Sequence, residues 1–456
     1  MSKIEYFSTL FSYKLLPTVI ITFYLIIIVG LFISLIPTKV QASQNNEHIN
    51  YPKAKFAIIT DPHVFDVSGN IKSPLYLKYG VQDRKLLSLS TEILETAVHK
   101  IVSEANVDFV ILSGDLTDSG DIKSHKAVAN VLNKFTDNDI KVYIIPGNHD
   151  GFNTKDFKNT TIPRDIITPL QFTKLYENFG YKNAIYRDEQ SLSYVTEPIE
   201  GLWLLMIDSC IYNDKDNYHV CNGRIRESTK KWIDQILKIA NEKNKAVIGS
   251  LHHNLLEHYK GQQKFFSKYI VDDFEELSSN FAAQNMKIVF TGHHHALDIA
   301  KKEFENKSFI YDIETSSLIG YPNAYRIVEI NDYNKMLIKS RYIKEIPSFK
   351  GDFTSYTRDY VRGIIKNVAK EKLNRYHLNS NNQDKISDKA ADAMMTHYQG
   401  NEKLVSNIDI EGLNIWSKFI YSFYKKLLVD LYEDPGPKDL NIKIDLDTGA
   451  WIEVAQ

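Results

Sequence analysis

Lys287-Ile288-Val289-Phe290-Thr291-Gly292-His293-His294-His295 decides how this chain is read. A short apolar run ends in a glycine, and three histidines follow. Imidazole is the commonest protein metal ligand, and its neutral nitrogen suits Zn, Fe and Mn-like ions. One such cluster says little, because His-rich tracts arise for many reasons. It gains meaning from four earlier stretches that end in the same way.

Those stretches are Phe56–Thr60 running into Asp61-Pro62-His63, Val107–Ser113 into Gly114-Asp115-Leu116-Thr117-Asp118, Lys141–Ile145 into Pro146-Gly147-Asn148-His149-Asp150, and Lys245–Leu251 into His252-His253-Asn254. Each apolar run has the composition of a buried strand. Helical spacing fills the gaps: Leu86, Leu87, Ile93, Leu94, Ala97, Val98 and Ile101, then residues around 127–135, 227–240 and 272–284. Strands alternating with helices predict βαβ units and an α/β fold. Ligands in such folds bind beyond the carboxyl ends of the strands, where these polar residues fall.

Further on, 309–314, 325–330 and 336–343 read as three antiparallel strands, with Asn331–Asn334 as the turn between the last two. From 352 to 432 three helical patterns follow, and 440–454 looks like a hairpin. These spacings divide the chain into an α/β domain over 52–347 and a mainly helical C-terminal module over 352–456.

The N-terminus is different. Lys3 and Lys14 precede an apolar run from Leu15 to Ile36, long enough to cross a bilayer, and Val40-Gln41-Ala42 resembles a signal-peptidase site. Residues 1–42 are therefore expected to be a signal peptide or an N-terminal membrane anchor. Either way the rest of the chain lies outside the cytoplasm, secreted or held at the membrane. The net charge of −2 gives no basic footprint, so no nucleic-acid-binding groove is expected. The only cysteines, Cys210 and Cys221, are expected to close a short disulfide loop in an exported protein.

Taken in order, DPH, GDLTD, GNHD, HH and GHHH resemble the signature of the calcineurin-like metallophosphoesterases over about residues 55–320. The resemblance implies a four-layer α/β/β/α sandwich and two divalent ions (Mn, Fe or Zn). It implies that Asp61, His63, Asp115 and His295 hold one ion and that Asp115, Asn148, His252 and His293 hold the other. Two ions about 4 Å apart acidify a bridging water and neutralise phosphate charge. His149 matches the histidine that faces the leaving group, and Asp118 the acid that orients it. His253 is expected to point away from the metals, His294 to face solvent or to support a ligand, Asp150 to shape a turn, and Asp208 either to support the site or to end its strand.

Protein phosphatases carry arginines where this chain has Ser119 and Gly151, and related nucleotidases have a Glu-Phe-Asp extension where it has Asp150-Gly151-Phe152. The stretch Ile207-Asp208-Ser209, Gly223-Arg224-Ile225, Trp232-Ile233 resembles the cyclic-nucleotide phosphodiesterase branch. The expectation is an exported phosphodiesterase acting on cyclic nucleotides or related small diesters. The alternatives are a lipid or cell-envelope phosphodiesterase, a phosphomonoesterase, or a non-catalytic cell-surface interaction protein on the same scaffold.

Overall fold

The computed structural model describes residues 49–65, 84–151, 165–211, 220–403, 405, 407–433 and 436–455. The N-terminal apolar run and the site-like Val40-Gln41-Ala42 lie outside them. No helix among the described residues is long and apolar enough to cross a membrane.

Among the described residues, fourteen strands form two seven-stranded sheets. The first contains β1 (Ala54–Ile59), β2 (Phe109–Ser113), β3 (Lys141–Ile145), β11 (Ala324–Ile330), β12 (Lys335–Tyr342), β13 (Asn441–Asp445) and β14 (Trp451–Glu453). The second contains β4 (Tyr186–Arg187), β5 (Tyr194–Ile199), β6 (Leu202–Ile207), β7 (Ala246–Leu251), β8 (Ile288–Thr291), β9 (Asp298–Glu303) and β10 (Phe309–Glu314). β1, β2 and β3 run parallel, as do β6, β7, β8 and β10.

The apolar runs explain the layering. Alternate residues of a strand face opposite sides. In β6 and β8, Leu204, Met206, Ile288 and Phe290 join Phe56, Phe109 and Ile111 in the core between the sheets. Phe290 meets Phe56 edge-on at 5.7 Å. Their neighbours Trp203, Leu205, Ile207, Val247 and Val289 face outward instead. They pack on α4 (Glu227–Glu242) and α6 (Phe274–Ala283) through Ile233, Leu237, Leu277 and Phe281. On the outside of the first sheet, α1 (Ser90–Lys100) and α2 (Ile122–Thr136) bury Ile93, Leu94, Val128 and Leu132. The result is the α/β/β/α sandwich, with both faces of the parallel strands covered. Two short helices, α3 (Pro169–Leu175) and α5 (Gln262–Phe266), lie in the connections.

Three expectations need correction. Residues 309–314 do not pair with the following strands. β10 lies parallel to β8, and the chain then crosses to the first sheet, where β11 pairs antiparallel with β1. The crossing is anchored on the strand that carries Asp61: Leu318 N–H donates to Thr60 O at 3.1 Å and Ser317 Oγ donates to Asp61 O at 2.8 Å. The hairpin near the C-terminus does not stay with the helices before it. β13 pairs with β12 and extends the first sheet. Finally, Cys210 and Cys221 do not form the expected disulfide. Cys210 is buried, with Sγ 3.5 Å from Pro146 O, so it serves as a small core residue at the sheet end.

The helices between the two parts are α7 (Phe353–Asn374), α8 (Ser380–Tyr398) and α9 (Ile415–Asp430). Asp352, Asn379 and Asn414 cap their N-termini, each accepting from a backbone N–H three residues on. α8 ends against the histidine run: Ala296 packs with Ala391, Met395 and Tyr398. His397 donates from Nδ1 to Glu402 (2.9 Å), and its ring lies 5.3 Å from that of His294.

Candidate metal centre

The polar ends of β1, β2, β3, β7 and β8 converge on one place. Five of the residues there adopt positive φ: Asp61 (51°), His63 (38°), Asp115 (49°), His293 (73°) and His295 (72°). Such conformations cost a non-glycine residue about 1–3 kcal/mol and persist where surrounding structure imposes them, typically at functional sites. The imposing structure is visible. Asp61 N–H bonds Gly114 O, His63 N–H bonds Asp115 O, and Gly292 N–H bonds His252 O.

The motif glycines are required by close approach. A Cβ on Gly147 would lie 2.2 Å from both the backbone nitrogen and Oδ1 of Asp115. One on Gly292 would lie 2.4 Å from Asp61 Oδ2. Gly147→Ala is therefore expected to displace Asp115, cost about 1–3 kcal/mol of stability and lower metal content. Calorimetry and elemental analysis of the purified variant check this, and a variant with unchanged melting and metal content would contradict it.

Three side chains, Asp61, His63 and His295, bring one ligand atom each within 4.8 Å of one another. Asp115, His252 and His293 do the same beside them. Asn148 joins the second group, with Oδ1 3.1 Å from His252 Nε2. Asp115 stands between the groups: Oδ2 is 3.5 Å from His63 Nε2 and 3.3 Å from His252 Nε2. Its other oxygen, Oδ1, accepts from the His149 backbone N–H at 2.7 Å. All seven residues of the expected ligand set are thus brought together.

The donor set fits cations on physical grounds. His252 Nδ1–H donates to Ser113 O at 2.9 Å, which leaves Nε2 as a lone pair aimed at Asp115 Oδ2. His293 Nε2–H donates to Lys268 O at 3.2 Å, which leaves Nδ1 in the same state. Asp61 Oδ2 accepts from Thr60 Oγ1 (2.5 Å) and His293 N–H (3.0 Å), so Oδ1 is the oxygen that faces His63 and His295. Asp61 Oδ1 and Asp115 Oδ2 are buried without a hydrogen-bond donor. Lone pairs facing lone pairs in a buried site are costly unless a cation lies between them. Without one, protons must serve. Burial opposes charge on His252, but the adjacent Asp115 carries it up to about 9. Burial likewise opposes charge on Asp61 and Asp115, yet the surrounding histidines hold both well below the usual carboxylate range.

The neighbours are turned away. His253 donates from Nε2 to Cys221 O (3.2 Å) and accepts from Ser209 Oγ (2.8 Å). Burial and the charge of His252 push it down to about 3, so it is a neutral supporting residue. His294 is buried rather than solvent-facing, beneath the rings of Tyr269, Tyr259 and His397. Asp150 shapes its turn, accepting from the backbone N–H groups of Gly147, Leu116 and Thr117. Asp208 caps the end of β6 through Cys210 N–H and Leu192 N–H.

Asp118 departs from the expectation. Its backbone carbonyl, not its carboxylate, accepts from His149 Nδ1 at 2.8 Å. The carboxylate is engaged by Lys85 Nζ at 2.5 Å and stands 3.9 Å from His149 Nδ1. Sequence reasoning missed Lys85 and its neighbour Arg84. Both follow a stretch of sequence with no recognisable pattern, and no motif marks them. Arg84 hydrogen-bonds Tyr398 Oη of α8, and its positive charge acts on His295 and Tyr269.

The profile of the calcineurin-like phosphoesterases matches residues 54–297, which contain every strand end described above. The chain belongs to that family. Calcineurin-like phosphoesterases work through a divalent metal centre, and the two groups around Asp115 are the residues that could hold one here. The chain is similar to a probable cyclic nucleotide phosphodiesterase of Coxiella burnetii, at 21% identity over 275 residues, 56% of this chain and 95% of that one. It is also similar to a probable cyclic nucleotide phosphodiesterase of Vesicomyosocius okutanii, at 36% identity over 165 residues, 30% of this chain and 70% of that one. A dimetal phosphatase from Danio rerio is a structural neighbour, with a TM-score of 0.47, 15% identity, and coverage of 64% of this chain and 97% of that one. The resemblance to the cyclic-nucleotide branch therefore holds at the level of relatives. The profile ends before α7, so the C-terminal helices lie beyond the matched residues.

Proposed function

We propose that the chain is a metal-dependent phosphodiesterase acting on cyclic nucleotides or related small diesters through two ions that share Asp115. The observation that carries the reading is the position of Asp115 Oδ2 between His63 Nε2 and His252 Nε2, with Oδ1 already bound to the backbone. In this reading Asp61, His63 and His295 complete one ion's ligands, and Asn148, His252 and His293 the other's. When bound, such a pair supplies an activated water and charge neutralisation for the phosphate. His149 is then a proton donor to the leaving oxygen, oriented by Asp118 O. The positive charge of Arg84 acts on His295, which favours an anionic substrate beside that group. The N-terminal apolar run supports an extracytoplasmic location.

The test compares bis(p-nitrophenyl) phosphate with p-nitrophenyl phosphate, using the full chain in mild detergent with Mn or Zn. Diester turnover that a chelator abolishes and added metal restores is the expected result. Faster monoester cleavage would turn the reading toward a phosphatase. No turnover with both ions bound would overturn the enzyme reading and leave an interaction protein on this scaffold.

A further inference from the structure

α9 carries a face that its own core does not use. Ser417, Ile420, Tyr421, Leu427 and Leu428 are buried, which accounts for one side of the helix. On the other side Ile415, Trp416, Phe419 and Phe423 are 89%, 49%, 53% and 58% exposed. At 3.6 residues per turn these four fall within a sector of about 100°. They also form one surface: the rings of Trp416 and Phe419 stack at 5.6 Å, and Phe419 meets Phe423 at 4.8 Å. Large aromatic side chains side by side in water mark an interaction site rather than ordinary surface scatter.

The composition points to one occupant. Trp416 donates from Nε1 to Tyr376 O at 2.9 Å, so its indole is satisfied on one edge and bare on the other. Exposed Lys418 lies beside the stripe, and exposed Lys426 ends it one turn beyond Phe423, where it also pairs with Asp430 at 2.8 Å. Lys425, next along, pairs with Asp409 at 2.5 Å. Aromatic residues on one face with lysines at its margin are the pattern of a helix lying in a membrane interface. The chain carries a second feature of the same kind. Its run from Leu15 to Ile36 is apolar enough to enter a bilayer, and only residues 37–48 separate it from the first described residue, Ile49. That length spans at most about 40 Å when fully extended, which would keep the folded part near any membrane the run enters.

We propose that the Ile415–Trp416–Phe419–Phe423 face of α9 seats in the headgroup layer of a phospholipid bilayer. The proposal does not depend on the metal chemistry, since no residue of the face belongs to that site.

Tryptophan fluorescence tests it. The chain has four tryptophans and none lies in the apolar run. Trp203 is buried and Trp232 and Trp451 are half-buried, so Trp416 is the most exposed of the four and the best placed to report lipid contact. The full chain would be reconstituted in vesicles of two parts phosphatidylcholine and one part phosphatidylglycerol, with and without bromine on the acyl chains. Bromination is expected to lower emission, and W416F should remove most of that drop. F419S/F423S should also remove it while leaving the melting temperature and diester turnover unchanged. Equal emission in both lipids would overturn the proposal, as would a drop that survives in W416F. So would Trp416 emission that follows protein density and ignores bromination, which would instead make the face a contact between copies.

Discussion

Asp115→Asn is expected to empty the site and end turnover together, with kcat/KM falling by about three orders of magnitude or more, on the order of 4 kcal/mol. The substitution keeps the shape of the side chain. Its oxygen can still accept from His149 N–H, the bond that fixes Oδ1 now. The new amide nitrogen would sit where Oδ2 faces His63 Nε2 and His252 Nε2. An amide donates where a carboxylate can only accept. It would therefore satisfy nitrogen lone pairs that otherwise need a cation or an added proton. Metal-free variant protein is then expected to melt no lower than metal-free wild type. Elemental analysis, a diester assay and two melting curves check the three parts. Retained metal with lost turnover would mean that Asp115 does not bridge. Retained turnover would remove the two-metal reading.

The same carboxylate shows what a sequence can and cannot reveal. Each ligand follows a strand that is apolar on both faces, and such runs are legible because burial on two sides leaves no polar alternation. The ligands' order and types were legible for the same reason: each sits at the first turn after a strand. Their convergence followed from parallel strands whose carboxyl ends share an edge.

What the pattern concealed was long-range. β10 reads like its neighbours, and nothing local distinguishes a strand that stays from one that crosses to the other sheet. The choice is made by Ser317 and Leu318 bonding to the β1 end, contacts some 250 residues apart in sequence. β5 was hidden by Pro198 near its end, and β9 by three charged residues in Lys301–Glu303. Both lie near sheet edges, where such residues are tolerated. His294 read as facing solvent or supporting a ligand because alternate residues of an extended segment diverge. They do diverge here, but α8 and the Tyr269 segment cover the far side, so the ring is buried. Lys85 and Arg84 had no signal at all. Charged residues outside any motif are usually solvated, and only the fold brings these two to Asp118 and Tyr398.

His149→Ala is expected to separate chemistry from metal binding. The contribution of His149 to Asp115 is made by its backbone nitrogen, which any side-chain substitution leaves in place. Both ions should therefore remain. The imidazole is different: Nδ1–H is committed to Asp118 O, the ring stands edge-on to His63 at 4.9 Å, and the side chain is 26% exposed. Asp118, His149 and His63 could in principle gather a cation of their own. Lys85 already neutralises that carboxylate, which argues against a third ion there. A partly exposed imidazole beside a metal pair is suited to giving a proton to a departing oxygen, worth about 10²- to 10⁴-fold. Esters that release p-nitrophenolate hardly need that proton, whereas those that release an aliphatic alkoxide, as a cyclic nucleotide does, need it fully. The variant should thus lose little rate on bis(p-nitrophenyl) phosphate and most of its rate on a 3′,5′-cyclic nucleotide. Equal losses on both substrates would point to a role in substrate binding. Loss of metal alongside activity would show that the histidine is a ligand after all.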